Sequence, residues 1–259
     1  MDAIVTAGGI PEPDDLLYEY TQGGSKAMLD MAGKPMIQWV LDALCEAQTI
    51  ERIVLVGLEP GSNVICTKSL AFIPNQGSMV NNIRAGVSKV LELNPEAEFS
   101  LMVSSDIPAI TAEMVDWSVK TALETADDAY YSVVTRELME SRFPGSKRSY
   151  IRFKDVEVCC ADMNMIRNSV AAGRDEFWNK LVAARKNAFK QAALIGYDTL
   201  FLLLLRQLTL KGVVKKASSR LHLKGRAIIS PYAEIAMDVD KPHQFEILRA
   251  DLEKQIANA

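Results

Sequence analysis

The stretch AIVTAGG at residues 3–9 decides the fold, because a short aliphatic run passes directly into two glycines. Continuous aliphatic runs of this length are typical of strands that are buried on both faces of a parallel sheet. Two later stretches have the same character, RIVLVG at residues 52–57 and FSLMVS at residues 99–104. Each ends at small or turn-forming residues. The sequence therefore predicts three buried strands, the first over residues 3–6.

The segments between these strands have the period of helices with one buried face. Apolar residues recur every three or four positions in residues 36–47 and again in residues 82–93. Strands that alternate with helices imply right-handed crossovers and a parallel sheet. We therefore predict an α/β protein with a Rossmann-like three-layer α/β/α structure and a mostly parallel sheet.

The rest of the chain continues this alternation. Its pattern predicts helices over residues 111–124, 174–185, 198–210 and 242 to about 256, and strands over residues 129–134 and 227–230. Because no repeat or linker interrupts the sequence, we predict a single domain over residues 1–259. The family resemblance described below implies that its helices at about 174–212 are an insertion. The insertion allows two roles, a cover over the site or the interface of a homodimer.

Composition bounds the partners and the location. The chain has 259 residues, of which 49% are apolar and 24% charged, and its formal net charge is −4. A negative net charge gives no general attraction to nucleic acid or to anionic membranes. The N-terminus lacks the features of a signal peptide, and the aliphatic run at residues 200–205 is too short to span a bilayer. We expect a cytoplasmic protein that binds neither nucleic acid nor membrane.

The four cysteines indicate neither zinc nor a disulfide framework. Cys45, Cys66, Cys159 and Cys160 form no C-x-x-C pair, and the chain has only two histidines. A structural zinc site is therefore not expected. A chain of this length has no need of disulfides, so we expect reduced thiols. We interpret the adjacent Cys159 and Cys160 as buried strand residues rather than nucleophiles.

The glycine pair begins a set of spaced motifs. Consecutive N–H groups at such a turn can bind phosphate oxygens, although a turn without a ligand has the same sequence. After the AGG of residues 7–9, the chain carries K-x-x-L from Lys26 and G-K-P at residues 33–35, before the first long helix. This combination resembles the MobA-like NTP transferases, the enzymes of the molybdenum-cofactor guanylyltransferase type.

The resemblance implies the nucleotide-diphospho-sugar transferase fold and a set of nucleotide ligands. On it, the nucleotide would contact Ala7, Gly8, Gly9 and Lys26, and the G-K-P segment with Lys34 would shape the turn into the helix. The alternative for both lysines is a solvated surface charge.

In one respect the sequence departs from that family. Residues 10–22 replace a short basic loop and carry four carboxylates but no arginine. Acidic side chains near a triphosphate would repel it. We therefore expect this segment either to swing clear as a lid or to accompany an altered activity.

The segment PNQGS at residues 74–78 precedes the second predicted helix. By position, the resemblance assigns Gln76, Gly77 and Asn82 to the base and sugar of the nucleotide. A side-chain amide offers both a donor and an acceptor, which suits the edge of a base. The alternative is a loop followed by a helix cap at Asn81 or Asn82.

Two acidic segments predict a magnesium site. In VSSDIP at residues 103–108, Asp106 follows a predicted strand and resembles the family's metal-binding D-x-P. In MDVDKP at residues 237–242, the resemblance assigns the second ligand to Asp240, with Asp238 as the fallback. Carboxylates hold Mg²⁺, which in turn bridges phosphate oxygens. The alternatives are a turn at Asp106 and a helix N-cap at Asp240.

A basic cluster is the candidate site for an acceptor. Its members are Arg136, Arg142, Lys147, Arg148 and Arg152. Arginine binds phosphate through paired hydrogen bonds, although a solvated face would have the same composition. Asp162 lies in the stretch where relatives carry a glycine-rich acceptor turn. We take Arg148 and Asp162 as the candidate acceptor residues.

The resemblance as a whole implies a Mg²⁺-dependent nucleotidyltransferase that joins a nucleoside triphosphate to a phosphorylated small-molecule acceptor and releases pyrophosphate. Lys26 and Asp106 would be its catalytic residues. Two alternatives remain open from the sequence: a glycosyltransferase that uses a nucleotide sugar, and a nucleotide-binding module without catalysis.

Overall fold

The computed structural model describes residues 1–173, 196, 202 and 205–258. Within these residues, nine strands form one sheet and two short strands form a hairpin. The strands are β1 Asp2–Thr6, β2 Asp30–Met31, β3 Lys34–Pro35, β4 Arg52–Val56, β5 Ser69–Ile73, β6 Phe99–Ser104, β7 Ala129–Thr135, β8 Ile151–Arg152, β9 Glu157–Cys160, β10 Met163–Arg167 and β11 Gly225–Ile229. The helices are α1 Tyr18–Thr21, α2 Met36–Glu46, α3 Met79–Leu93, α4 Ala112–Ala122, α5 Arg136–Arg142, α6 Asn168–Ala172, α7 Leu210–Leu221 and α8 Pro242–Ala257.

The sheet is parallel at one side and mixed at the other. Its order is β5-β4-β1-β6-β10-β7-β9-β8, and β11 pairs with the other edge of β7. Strands β5, β4, β1 and β6 are parallel to one another. Strand β10 is antiparallel to both β6 and β7, and β11 is parallel to β7. Because β1 and β6 are adjacent and in register from Asp2 to Thr6, their carboxyl ends open onto the same edge of the sheet.

Helices cover both faces of the sheet, which confirms the predicted α/β/α architecture. On one face α2 packs beside α4, and its buried residues include Ile37, Val40 and Leu44. On the other face α3 packs on β1 and β4 and beside α6. There Ile4 and Val87 belong to a second hydrophobic cluster. Burial on both faces is the physical reason that the central strands are almost wholly aliphatic.

A bend between β9 and β10 brings a polar residue to the end of the sheet. Both strands pair with the same edge of β7, β9 at Val133 and beyond and β10 at Tyr130 and before. Between them Ala161 still donates its N–H to the carbonyl of Ser132 on β7 at 3.0 Å, and the carbonyl of Asp162 accepts from the N–H of Ser104 at 3.0 Å. Asp162 therefore stands beside the carboxyl end of β6.

Most predicted elements are confirmed to within a few residues. The predictions missed the short elements α1, β2, β3, β8 and α6, and also β5, α5, β10 and α7. Strand β5 is half-exposed over most of its length, so its pattern is weak. The helix predicted over residues 174–185 lies outside the described residues, as do residues 198–201, 203 and 204 of the one predicted over 198–210. Residues 205–209 are not helical, and a helix begins instead at Leu210.

The single domain and its insertion therefore stay predictions. The adjacent cysteines do lie at the end of β9, with Cys159 buried and Cys160 half-buried. Among the described helices, none is both long enough and apolar enough to cross a membrane.

Candidate functional site

A cavity of about 250 Å³ opens at the carboxyl ends of β1 and β6. This is the edge at which ligands bind in open α/β sheets. The described residues that line it are Thr6, Gly8, Gly9, Lys26, Ala27, Asn75, Gly77, Ser78, Met79, Asn82, Ser104, Ser105 and Asp106. The predicted phosphate turn, the predicted base loop and one predicted metal ligand thus share one cavity. Ala7, the first residue of the turn, is buried beneath it.

The glycine turn is held in place by a third glycine that the sequence analysis missed. Gly57 follows β4, has a φ of +112°, and packs so closely that a Cβ there would lie 2.3 Å from the N atom of Gly8. Asn75 holds the turn from the other side, since its Nδ2 donates to the carbonyl of Gly8 at 2.9 Å. A Cβ on Gly8 would meet the Asn75 side chain at 2.8 Å. Residue 57 must therefore be glycine, whereas a side chain at residue 8 would displace the Asn75 side chain from its bond.

The predicted base loop is built by two asparagines. Asn75 Oδ1 accepts from the N–H of Gly77 at 3.0 Å and from Asn82 Nδ2 at 3.2 Å. The buried Asn82 accepts in turn from the N–H of Gln76 at 2.7 Å. The Gln76 side chain donates to the carbonyl of Pro74 at 2.7 Å, and Gln76 is not among the described residues that line the cavity.

The helix cap anticipated in this loop falls on another residue. Ser78 Oγ accepts from the N–H of Asn81 at 3.2 Å and caps α3. Asn82, in the first turn of α3, instead hydrogen-bonds to Asn75 and Gln76 and stabilises the loop. Of the three residues assigned to the base and sugar, the structure thus brings Gly77 and Asn82 to the cavity. It also brings Asn75 there, which the sequence analysis did not assign.

Lys26 lies between two aspartates from distant parts of the chain. Its Nζ is 2.6 Å from Asp106 Oδ2 and 3.0 Å from Asp240 Oδ1. The backbone N–H of Lys26 donates to the carbonyl of Gly9 at 2.9 Å, which fixes the lysine beside the phosphate turn. Burial alone would lower the pKa of this ammonium, but the carboxylates of Asp106 and Asp240 outweigh burial and raise it. Lys26 is therefore a fixed cation.

The acidic cluster has three members. Oxygens of Asp106, Asp238 and Asp240 all lie within 4.8 Å of one another. Ser104 Oγ donates to Asp106 Oδ1 at 2.5 Å, and the N–H of Val239 donates to the carbonyl of Asp106 at 3.1 Å. These bonds orient the Asp106 carboxylate and tie the downstream acidic segment to the end of β6.

Asp240 does not cap the terminal helix. The N-cap of α8 is Lys241, without a side-chain cap bond, and Pro242 stands in the first turn. The backbone N–H of Asp240 donates to Gln244 Oε1 at 3.0 Å. Its carboxylate is 57% exposed and contacts Lys26. The carboxylate is therefore available to a ligand in a way that a capping carboxylate is not.

The predicted acceptor residues lie behind this cluster. Arg148 forms an ion pair with Asp238, and both side chains are largely buried. Asp162 is half-buried nearby, and burial together with the charge of Asp106 raises its pKa to about 7, against the opposing effect of Arg148. The guanidinium of Arg148 thus neutralises the most buried acid of the cluster.

The other members of the basic cluster do not share one site. Arg142 contacts Glu234 and Asp251 at 2.7 Å each. Arg136 and Arg152 both contact Glu157, and Lys147 is exposed. Arg136, Lys147 and Arg152 therefore fit the solvated-face alternative, whereas Arg142 ties α5 to the buried Glu234.

Lys34 is also a surface residue. It forms an ion pair with Asp42, and its Nζ lies 3.7 Å from the centre of the Trp39 ring. The G-K-P segment forms the short β2–β3 hairpin with Gly33 at a φ of +90°, so it shapes the entry to α2 as expected. Lys34 is not among the described residues lining the cavity.

The acidic segment at residues 10–22 folds against the body of the protein. Leu17 is buried in the main core, and the Tyr20 ring packs on Phe245 of α8 with centroids 5.1 Å apart. Its four carboxylates, on Glu12, Asp14, Asp15 and Glu19, are exposed. None of them is among the described residues that line the cavity. Their charge is therefore directed to solvent rather than toward the phosphate turn.

Comparison with known proteins gives the family relationship. The family model of the MobA-like NTP transferase domain matches residues 20–141. A hypothetical transferase from Thermus thermophilus has 31% sequence identity, covering 94% of this chain and 98% of that one, with a TM-score of 0.82. No curated protein matches.

Two more distant structures share the fold. CMP:2-keto-3-deoxy-manno-octonic acid synthetase complexed with CTP is 14% identical, with a TM-score of 0.56 over 98% of this chain and 99% of that one. The 4-diphosphocytidyl-2C-methyl-D-erythritol synthase from Anaerococcus prevotii is 14% identical, with a TM-score of 0.59 over 97% and 95%.

Proposed function

Because this chain belongs to the MobA-like NTP transferase family and is a nucleotidyltransferase, we propose that it joins a nucleoside triphosphate to a phosphorylated small-molecule acceptor. In the proposed reaction, an oxygen of the acceptor's phosphate attacks the α-phosphorus in line. The bond from the α-phosphorus to the α,β-bridging oxygen breaks, and pyrophosphate leaves with that electron pair. No protein nucleophile is required, because positioning and electrostatics supply most of the acceleration.

One observation carries the proposal. Lys26 Nζ lies 2.6 Å from Asp106 and 3.0 Å from Asp240, at the mouth of a cavity that also contains Gly8 and Gly9. A cation and two carboxylates at a glycine turn match the charges of a triphosphate and a divalent ion. A site for an uncharged ligand would not be expected to hold a lysine and two aspartates, because removing charged groups from water costs free energy.

The carboxylates fit Mg²⁺, which we propose as the cofactor. Mg²⁺ is held in proteins by one or two carboxylates, substrate phosphates and water. Asp106 and Asp240 already aim at a common cation, the Lys26 ammonium. They would hold the ion, while Asp238 is engaged by Arg148. When bound, Mg²⁺ supplies charge neutralisation on the phosphate oxygens.

We assign the nucleotide contacts to the chain's own cavity residues. The backbone around Ala7, Gly8 and Gly9 binds the phosphates, and Lys26 offsets the charge that builds on the leaving pyrophosphate. Gly77 and Asn82 lie on the side of the cavity proposed for base and sugar. Gln76 can join them only by releasing the carbonyl of Pro74.

The acceptor is proposed to bind beside Asp162. This residue stands at the bend that abuts β6, next to the acidic cluster, and Arg148 is close enough to act on its charge. The protonated form of Asp162, which its raised pKa favours, would donate a hydrogen bond to an acceptor phosphate, whereas the ionised form would repel it. The identity of the acceptor beyond its phosphate follows from the experiment below.

The proposal is tested by pyrophosphate release. The protein is incubated with each nucleoside triphosphate, Mg²⁺ and a panel of phosphorylated acceptors, and Asp106→Asn is compared with Asp30→Asn. Asp30 is exposed on β2 and is not among the described residues that line the cavity. We expect release with the wild type and with Asp30→Asn, and a loss of at least about 10²-fold with Asp106→Asn. Near-normal release by a folded Asp106→Asn variant would overturn the metal assignment.

The same assay, run also with nucleotide sugars in place of the triphosphates, separates the alternatives. Transfer of a sugar from a nucleotide sugar without pyrophosphate release would indicate a glycosyltransferase on this fold. Binding of a triphosphate, seen as a raised melting temperature, without any turnover across the panel would indicate a nucleotide-binding module. Either outcome would contradict the proposed reaction.

A further inference from the structure

Two cysteines far apart in sequence lie side by side in the structure. Cys45 is on α2 and Cys66 is in the loop that precedes β5, and their Sγ atoms are 3.1 Å apart. Both are free and half-buried. Neither is among the described residues that line the nucleotide cavity. The chemistry of this pair is therefore separate from the proposed transferase reaction.

The loop that carries Cys66 is fastened to α2 next to the thiols. The buried amide of Gln38 pairs with the backbone of Ile65, accepting from its N–H at 2.8 Å and donating to its carbonyl at 2.8 Å. The two hydrogen bonds are paired as they are between neighbouring strands of a sheet. It fixes the residue immediately before Cys66.

A second anchor lies just beyond the thiols. The Lys68 ammonium donates to the carbonyl oxygens of Leu44 at 3.0 Å and of Ile50 at 2.7 Å, and also to that of Ala47. Cations at a helix C-terminus satisfy orphan carbonyls and interact favourably with the helix dipole. Cys66 is thus held from both sides, and the contact with Cys45 is a fixed feature rather than a chance approach of two loops.

We propose that Cys45 and Cys66 are a thiol modification site. They form a reversible disulfide with each other when a low-molecular-weight disulfide, such as oxidised glutathione, oxidises them. A disulfide needs the two sulfur atoms to approach by about 1 Å from their observed separation. Rotation of two half-exposed side chains supplies this, because the backbone anchors already bring them together.

The reaction proceeds by two exchanges. The Cys45 thiolate attacks one sulfur of the small disulfide, forming a mixed disulfide and expelling one small thiolate. The Cys66 thiolate then attacks Cys45 Sγ and expels the second. In total two protein thiols are oxidised and one small disulfide is reduced to two thiols, because the protons of Cys45 and Cys66 pass to the two expelled thiolates. Burial opposes ionisation of Cys45, but hydrogen bonds from Cys66 and from the backbone of Lys68 and Thr67 outweigh it and lower its pKa, whereas burial and Cys45 raise that of Cys66 to about 11. Cys45 is therefore the attacking thiol.

The test uses the whole folded protein in mixtures of reduced and oxidised glutathione. Remaining thiols are alkylated, and the peptides are identified by mass spectrometry without reduction. We expect a Cys45–Cys66 cross-linked peptide that dithiothreitol abolishes, with Cys159 alkylated only after unfolding because it is buried. Cys160→Ser serves as the matched control and leaves the cross-link intact, whereas Cys45→Ser and Cys66→Ser each abolish it.

Thermal unfolding gives an independent readout. Closing the loop between residues 45 and 66 restricts the unfolded chain, so the oxidised protein should melt roughly 6–12 °C above the reduced one. Cys66→Ser should show no such difference. A reaction that stops at a glutathione adduct, a cross-link that forms only in denaturant, or one that lowers the melting temperature would each overturn the proposal. Pyrophosphate release plays no part in these readouts, so the two proposals stand or fall separately.

Discussion

The ammonium of Lys26 lies 2.6 Å from the carboxylate of Asp106, with both side chains only 15% exposed. Asp240 completes the contact at 3.0 Å. The lysine therefore balances, in the nucleotide-free protein, the negative charge that a divalent ion is proposed to balance during the reaction. An ion that binds Asp106 and Asp240 must compete with this ammonium.

Lys26→Met should separate these two roles. Without the ammonium, the two carboxylates repel each other, so a divalent ion should bind the nucleotide-free variant about tenfold more tightly than it binds the wild type. Turnover should nevertheless fall by roughly 10²–10³-fold, because the charge on the leaving pyrophosphate is no longer offset. Calorimetric titration with Mn²⁺ or Mg²⁺ measures the first effect and pyrophosphate release the second. Equal or weaker metal affinity in the variant would contradict the competition.

Much of this site could be predicted from local sequence. The aliphatic run before Gly8 and the S-D-x-P segment around Asp106 identify strand ends, and strand ends of a parallel sheet share one edge. Asp240 and Lys26 followed from their spacing within a known motif set. The strand ends depend on secondary structure, which short patterns encode well, whereas Lys26 and Asp240 were assigned by the family resemblance.

The remaining features depend on contacts between separate segments. Glycine is required at residue 57 because the backbone of Gly8 packs on it. The sequence around residue 57 does not indicate that the segment at residues 7–9 lies there. Asn75 holds the glycine turn through its bond to Gly8, a role that the sequence analysis assigned to no residue and that only hydrogen-bond geometry shows. The sequence predicts Arg148 as a phosphate ligand, and only the structure shows its ion pair with the buried Asp238.

Gly57→Ala should disturb the phosphate turn through direct contact with Gly8. Its φ of +112° is unfavourable for alanine, and the new Cβ would lie 2.3 Å from the N atom of Gly8. Gly61→Ala is the matched control, because its φ is +97° but nothing lies within 4 Å of the added Cβ. Both variants should lose about 1–2 kcal/mol from left-handed strain. Only Gly57→Ala should lose more, together with triphosphate binding, as measured by urea unfolding and by ligand-induced thermal shifts. Equal losses in the two variants would show that the contact with Gly8 is unimportant.

Asn75→Ala should weaken nucleotide binding more than Gln76→Ala does. The first change removes bonds to Gly8, Gly77 and Asn82, whereas the second removes a bond to Pro74 within the same loop. At about 1 kcal/mol for each lost bond that orders the cavity, Asn75→Ala should raise the dissociation constant of a triphosphate by roughly tenfold or more. Gln76→Ala should change it by less than about threefold. The reverse order, measured by calorimetry, would return the base contact to Gln76.

Asp116 provides a test of pH dependence away from the cavity. It lies on α4 and accepts from the N–H of Thr49 at 2.8 Å, from its hydroxyl at 2.7 Å and from the N–H of Gln48 at 3.1 Å, so it ties α4 to the turn after α2. Burial opposes ionisation, but the bonds from Thr49 and Gln48 outweigh it and lower the pKa of Asp116 below its ordinary value.

A carboxyl whose pKa is lower in the folded than in the unfolded protein stabilises the fold above the unfolded value, near 3.9. That contribution is lost as the pH falls through the folded-state pKa. Asp116→Asn should therefore be less stable than the wild type by about 1 kcal/mol at pH 7, a figure reduced for solvent screening. The gap should narrow as the pH approaches 3, while Asp30→Asn shows little change at either pH. Urea unfolding at pH 7, 5 and 3 measures these differences. A gap that stays constant over this range would mean that Asp116 acts through packing and not through its charge.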